Sequence, residues 1–449
     1  MHTLTRWLLT PLIVCGFMIT DVRAFTCTQL QDGCTVYEGS TLFVDHLRIT
    51  KLPSSLHTVN SKLQFSGPIA SLEILSNLRH VDDLVAGSVM DDNLEGLRNI
   101  RTLGSFYCQG VPSNLEGLRS LVEVEADLNL SSCAKNVENY DGLRNLQKVG
   151  GAFKLERTCS ENTCKRADLS GFKSLAEVGS LHLGANNKIQ PNVFPKLRSV
   201  RYLYLGTSDG TSQDTSNVII SGFNSLETIQ SKFIVTKCCS PDSSVSVIEG
   251  FEKLASIGDL GSTLSSSSAH GILIDGRQLR SLRGFSALKE VRGPVRIKDT
   301  QLEKLEIFSR VKQMDSLSIR YNRQLSNCIS FIPFLEARGY PDSGDGYGID
   351  IEGNGSGCSS VQEIFDKNEW LQADHPEAMF LRLLDTVDTA TDSASSESRE
   401  ATGEARKASQ QQGMDAQAEP SPVSSLSSIG LLILSGLVGF LAIRRLAHQ

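Results

Sequence analysis

The chain has 449 residues, 21% of them charged, with eleven cysteines and a formal net charge of −7. Residues 359–423 hold 13 acidic and 5 basic side chains, a balance of −8; residues 1–24 add +1 and residues 424–449 add +2, which leaves −2 on residues 25–358. A nearly neutral body with its acidity gathered near one end excludes nucleic acid as a partner class.

Arg6, an apolar stretch from Trp7 to Ile19 and the small residues around Val22-Arg23-Ala24 read as a secretory signal, residues 1–24, so that the mature chain begins at Phe25. The stretch is too short for a comfortable membrane span. Cys15 lies in the signal, so 11 − 1 leaves ten cysteines: Cys27, Cys34, Cys108, Cys133, Cys159, Cys164, Cys238, Cys239, Cys328 and Cys358. An even number in a secreted chain implies disulfides. Neither a Cys-x-x-Cys pair nor the His/Cys spacing of a zinc site occurs, and no cofactor or metal is expected.

The body repeats the phrase Gly-[Phe/Leu]-x-x-[Leu/Ile]-x-x-[Val/Ile/Leu] seven times, from Gly96, Gly117, Gly142, Gly171, Gly222, Gly250 and Gly284. Copies that keep only the apolar positions occur at Leu75/Leu78/Val81, Phe194/Leu197/Val200 and Phe308/Val311/Met314. Repeat intervals of about 21 to 34 residues suit the coils of a solenoid, in which one unit cannot bury its apolar edge without the next. The glycine is expected to mark a turn with positive φ, and the three apolar positions to turn inward at a corner. A short alternating run follows each corner. In Ser180-Leu181-His182-Leu183-Gly184 it places Leu181 and Leu183 inside and His182 toward solvent. Tyr202-Leu203-Tyr204-Leu205, Pro294-Val295-Arg296-Ile297 and Leu317-Ser318-Ile319-Arg320 are equivalent runs. A third run is expected in some coils at 217–220, 246–248 and 271–274. Helical periodicity over ten or more residues is missing between the runs, which argues against an α/β sheet with helical crossovers.

After the repeats, residues 359–387 form a partly helical cap carrying Ile364, Trp370, Leu371, Met379, Phe380, Leu383 and Leu384, interrupted at Pro376. Residues 388–423, rich in Ser, Ala, Thr, Glu, Asp and Gln, cannot bury enough apolar surface to offset chain entropy and read as a disordered stalk. Residues 424–443 contain the apolar stretch Ile429–Ile443, and residues 444–449 begin with Arg444-Arg445. Fifteen helical residues reach ~22 Å against a ~30 Å bilayer core. A transmembrane helix with a positive-inside stop, a cleaved GPI-anchor signal and a sorting tail all remain open, and each leaves the protein attached outside the cell.

Cys27-Thr28-Gln29-Leu30-Gln31-Asp32-Gly33-Cys34, followed by Glu38-Gly39 and the run Leu42-Phe43-Val44, resembles the start of receptor L domains. Asn322-Arg323-Gln324-Leu325 followed by Cys328 is similar to the closing segment of that family. The resemblance covers residues 27–358, long enough for two such domains in tandem, 25–190 and 191–358. The layout of signal, tandem domains, Ser-rich tail and attachment is similar to that of fungal GPI-anchored cell-wall organisation proteins. The resemblance implies a right-handed parallel β-helix, a leucine-rich-repeat-like all-β solenoid, with a binding rather than catalytic role. Unlike the receptors, the chain has no Cys-rich module between the halves and no room for a kinase.

Cys27–Cys34 and Cys328–Cys358 look like clamps on the two solenoid ends, Cys159–Cys164 would close a small loop, and Cys108 and Cys133 fall in adjacent coils. Cys238 and Cys239 stay open: a strained vicinal bridge, other partners or free thiols. Asn129-Leu130-Ser131 and Asn354-Gly355-Ser356 are glycosylation sequons. His46, His57, His80, His182, His270, His375 and His448 sit in no nucleophile motif, and Asp91-Asp92 and Glu123/Glu125 are the nearest carboxylate pairs. The Gly/Asp-rich run 342–352 lacks calcium-loop spacing and reads as a turn. No enzyme is expected. Two functions survive. One is a membrane-anchored recognition or adhesion protein binding an extracellular protein or glycan through a solenoid face, with Tyr202, Tyr204 and Phe43 as the few aromatic candidates. The other is a structural component that orders a wall or coat without a discrete ligand.

Overall fold

The computed structural model describes residues 25–44, 52–65, 72–87, 94–109, 114–133, 137, 139–155, 168–184, 193–207, 218–237, 245–258, 271–340 and 348–372. The signal, Cys159, Cys164, Cys238, Cys239, the residues of the cap beyond 372, the stalk, the apolar tail and the basic end lie outside the described residues.

These residues form an all-β, leucine-rich-repeat-like solenoid. Its main sheet has eighteen strands, and the pairings along it are parallel, from Thr26–Cys27 through Thr58–Phe65, Thr102–Cys108, Lys148–Leu155, Ser199–Thr207 and Pro294–Lys298 to Ile349–Glu352. Strands on either side of residue 190, Glu177–Leu183 and Ser199–Thr207, pair from Glu177–Ser199 to Leu183–Leu205, so the sheet is continuous there. The alternation sets the register: Leu181, Leu183, Leu203 and Leu205 have no exposed surface, and the residues between them point away from the core.

Val218–Ile220, Val245–Ile248 and Ser281–Leu282 form a second, three-stranded sheet. The run at 271–274 does not join it. Gly271–Asp275 pairs with Lys232–Thr236 in the main sheet, while Ser256–Ile257 pairs with the start of the same neighbouring strand. One strand position is thus filled in two pieces, Ser256–Ile257 and Gly271–Asp275, which sequence spacing alone cannot distinguish from an extra run.

The corners explain the three-residue apolar spacing. Glu73–Leu75, Glu95–Leu97, Glu116–Leu118, Asp141–Leu143 and Ser170–Phe172 are 3₁₀ turns, closed by bonds such as Leu97 N–H to Leu94 O and Leu118 N–H to Leu115 O, both 2.9 Å. Three residues per turn stack the apolar positions on one side. The phrase glycine is needed for a different reason from the expected one in these coils. Positive φ occurs at Gly250 and Gly284 (+83° and +81°). At Gly96, Gly117, Gly142 and Gly171 a Cβ would collide with the carbonyl oxygens of Leu72, Leu94, Leu115 and Tyr140 in the preceding coil. The close stacking of coils, not the turn, excludes a side chain.

The position after the glycine feeds the core. It is Leu in the early coils (Leu97, Leu118, Leu143) and Phe later, where a column of rings runs Phe172–Phe194–Phe223–Phe251–Phe285 with centroid separations of 6.2, 5.5, 5.1 and 4.8 Å. The C-terminal end is closed differently. A short helix, Ile332–Ala337, buries Ile332, Phe334 and Leu335, with Pro333 in its first turn, where a missing N–H costs nothing. The helix Val361–Gln372 buries Ile364 and Phe365, whereas Trp370, read from sequence as part of the apolar cap, is 37% exposed.

Candidate interaction face

Because the strands align in register, outward residues form columns across the main sheet. One column reads Tyr107, Asn129, Lys154, His182, Tyr204, Ile234, Leu273, Arg296, Ser318, Asp350. The column on one side includes Ser180, Tyr202, Lys232 and Gly271. The column on the other includes Thr236, Asp275, Lys298, Arg320 and Glu352.

The middle of this face is pre-ordered. The His182 imidazole stacks on the Tyr204 ring, 5.4 Å between centroids and 22° between planes, and the Tyr204 hydroxyl bonds the Thr236 hydroxyl at 2.8 Å. His182 therefore points outward as its place in the run requires, but it is half-buried against its neighbour. Ile234 and Leu273 follow in the same column, half-buried and apolar. Beyond them lies an open depression of about 720 Å³ whose lining includes Leu273, Arg296, Lys298, Ser318, Arg320 and Asp350.

Charge on the face is unevenly satisfied. From Lys154 to Lys298 the three columns contain the cations Lys154, Lys232, Arg296 and Lys298 and the single carboxylate Asp275, a formal balance of 4 − 1 = +3. Asp275 is taken up by Lys298 at 2.9 Å, a hydrogen-bonded pair that holds the Lys298 ammonium above the usual lysine range. Lys154, Lys232 and Arg296 have no ion partner among the described residues. At the last strands the balance closes again: Arg320 pairs with Asp350 and lies 3.7 Å from Glu352. At the N-terminal end the Tyr107 hydroxyl donates to Asp127 at 3.4 Å, and burial followed by the Asp127 and Asp83 charges raises its pKa.

The 3₁₀ ridge contrasts with this face. Arg98 pairs with Glu73 (2.6 Å), Arg119 with Glu95 (2.8 Å) and Arg144 with Glu116 (3.7 Å), each arginine reaching the acid of the preceding coil. Such solvent-screened pairs add little to stability, and they use the ridge charges to join coils.

The other residues singled out from sequence fall as follows. Cys27 is bonded to Cys34, Cys108 to Cys133 and Cys328 to Cys358, with Cα separations of 5.9, 5.6 and 5.5 Å. Phe43 is 39% exposed at the N-terminal end of the outward column. Tyr202 stands one column away, with the Arg201 guanidinium 6.0 Å from its ring. Glu123 is paired with Lys148 at 2.7 Å, and Glu125 is exposed. His57 and His80 bond the hydroxyls of Thr58 and Thr102. The end of the Gly/Asp-rich run, Ile349–Glu352, is the last strand, with Asp350 on Arg320 and Glu352 accepting the Tyr321 hydroxyl at 2.7 Å. His46, His270, His375, His448 and Asp91-Asp92 lie outside the described residues. Among the described residues no three His, Cys, Asp or Glu side chains gather in metal-binding reach, and no helix is long and apolar enough to cross a membrane. Alternation in the run 294–297 already turns Arg296 outward, but sequence reading did not single out Ile234 or Leu273 as surface residues. Alternation between Ile272 and Ile274 marks Leu273 as outward, but only the register puts the three side by side.

No family model matches the chain, and no curated protein matches it. Among solved structures, an internalin from Listeria monocytogenes is 13% identical over 61% of this chain and 73% of its own, with a TM-score of 0.33. The LRIM1/APL1C complex is 12% identical over 92% of this chain and 86% of its own, with a TM-score of 0.25.

Proposed function

We propose that this is an extracellular, membrane-anchored recognition or adhesion protein that binds a protein partner through the outer sheet face between Lys154 and Lys298. The observation that carries the reading is the juxtaposition on one rigid face of a packed His182–Tyr204–Ile234–Leu273 column with the cations Lys154, Lys232 and Arg296, which have no ion partner among the described residues. Ordered side chains lose little freedom on binding, and the excess positive charge fits an acidic protein surface and speeds its capture. Aliphatic Ile234 and Leu273 at the centre favour a protein over a glycan. In this reading the body comprises two tandem receptor-L-like halves, residues 388–423 are a spacer and residues 424–443 are the attachment.

The test is adhesion of cells displaying the full chain. Lys232→Glu combined with Arg296→Glu reverses charge on the face; Lys173→Glu makes a single charge reversal on an exposed corner. Adhesion that falls at least tenfold with the pair, survives Lys173→Glu, weakens with salt and survives glycosidase treatment of the target surface supports the proposal. Equal adhesion of the wild type and the pair replaces it with the structural-component reading.

A further inference from the structure

The two sequons occupy opposite chemical situations, although the tripeptides are equivalent in sequence. The Asn354 amide is fully engaged. Its Nδ2 donates to Ile319 O at 2.8 Å and to Cys358 O at 3.1 Å. Its Oδ1 accepts from the backbone N–H of Asn322 at 3.1 Å and from Asn322 Nδ2 at 3.0 Å. Asn322 is itself completely buried and bonds the Thr300 backbone and hydroxyl through its Oδ1, at 3.0 and 2.7 Å. Thr300, Asn322 and Asn354 thus form a ladder across the last coils. A sugar on Asn354 Nδ2 would remove one of its two N–H donors and place a bulky group where two carbonyl oxygens converge. A carbonyl left unpaired there costs about 1–3 kcal/mol, before any steric displacement of the coil.

Asn129 is arranged the other way. Its Oδ1 accepts the backbone N–H of Ser131 at 3.1 Å, a local turn that holds the side chain, while its Nδ2 has no hydrogen-bond partner among the described residues. Asn129 stands in the outward column between Tyr107 and Lys154, so the free nitrogen belongs to the outer face of the sheet.

We infer that the folded protein carries an N-linked oligosaccharide on Asn129 and none on Asn354, and that this sugar sets the N-terminal limit of the open outer face. The bond formed joins Asn129 Nδ2 to the anomeric carbon of an oligosaccharide. The bond broken is that carbon's link to a lipid diphosphate donor, which leaves as Nδ2 loses one proton. With strands ~4.8 Å apart, Asn129 neighbours Lys154 directly, while Arg296, six strands on, is about 29 Å away. The sugar therefore stands at the Lys154 edge, bounding the face on that side without crossing it, and leaves Ile234, Leu273 and Arg296 open. The choice between the two sequons follows from which amide the folded coils can accept in substituted form, and does not rest on the binding proposal.

The test is site mapping of the full chain expressed through the secretory pathway of a eukaryotic host and purified from its membranes, by mass spectrometry after enzymatic deglycosylation, which converts a carrier asparagine to aspartate. Conversion at Asn129 and none at Asn354 is expected. Asn129→Gln, or Ser131→Ala, should lose one oligosaccharide mass with surface delivery retained. Ser356→Ala destroys the second sequon but keeps the Asn354 amide, and should change neither glycan mass nor surface delivery. Asn354→Gln should keep the sugar yet lower surface delivery several-fold, because the ladder is broken. A sugar on Asn354, or an unmodified Asn129, overturns the inference.

Discussion

Replacing Phe223 by Ala removes the ring between Phe194 and Phe251, whose centroids lie 5.5 and 5.1 Å away. Phe223 has no exposed surface, and truncating such a ring costs about 3–5 kcal/mol through lost transfer energy and the cavity left behind. Two aromatic neighbours, at roughly 0.5–1.5 kcal/mol each beyond area burial, put this site at the upper end. Phe223→Leu is a sharper probe. Leu97, Leu118 and Leu143 hold the equivalent position in earlier coils, also fully buried, so the backbone accepts Leu there. That variant keeps most of the volume and forfeits chiefly the ring pairs, about 1–2 kcal/mol. Urea unfolding of the purified protein followed by circular dichroism should order the stabilities as wild type, then Leu, then Ala, with the larger step between Leu and Ala. Equal costs for Leu and Ala would refute the reasoning, because they would mean that neither filling the cavity nor the equivalence of the coils matters.

Leu175→Asp places an unpaired charge in the core, a cost of several kcal/mol, and should abolish surface delivery; His182→Asp loses the stacking on Tyr204 and should reach the surface at close to wild-type yield, as measured by antibody staining of intact cells. Gly142→Ala forces a methyl group against the Leu115 carbonyl and should lower the unfolding midpoint, whereas Gly276→Ala, whose Cβ would meet only Leu279 Cβ at 3.4 Å, should leave it nearly unchanged. The Glu363 carboxylate accepts the backbone N–H groups of Gly357 (2.7 Å) and Ser359 (3.2 Å), which hold its pKa below the ordinary 4.5. A depressed carboxyl contributes stability that is present above its unfolded pKa and is lost as pH falls through the folded one. Acid titration below about pH 4.5 should therefore change the fluorescence of Trp370, the only tryptophan after residue 24, and Glu363→Gln should remove that transition.

The solenoid was legible because its cause is local and repeated. The phrase from Gly96 to Gly284 sets where each coil turns, and the alternation in runs such as 180–184 sets which side chains point inward. Period, inward or outward facing and core identity are all carried by residues a few positions apart. What the glycines do was not legible, because the carbonyl that excludes a Cβ at Gly117 belongs to Leu94, in the previous coil. The assignment of 271–274 to the main sheet likewise depends on pairing with Lys232–Thr236. The face is a still longer-range property. Lys154, Tyr204, Leu273 and Arg296 are separated by 50, 69 and 23 positions in the chain, and only the stacking of coils makes them one column. The same is true of the sequons: the tripeptides determine that Asn129 and Asn354 are possible carriers, but Asn322, Ile319 and Cys358 decide that the second amide is already bonded. The sequence by itself determines which groups exist and which way each points from its own strand. The tertiary structure decides which of them are left unpaired, because hydrogen bonds and ion pairs are satisfied by neighbours in space.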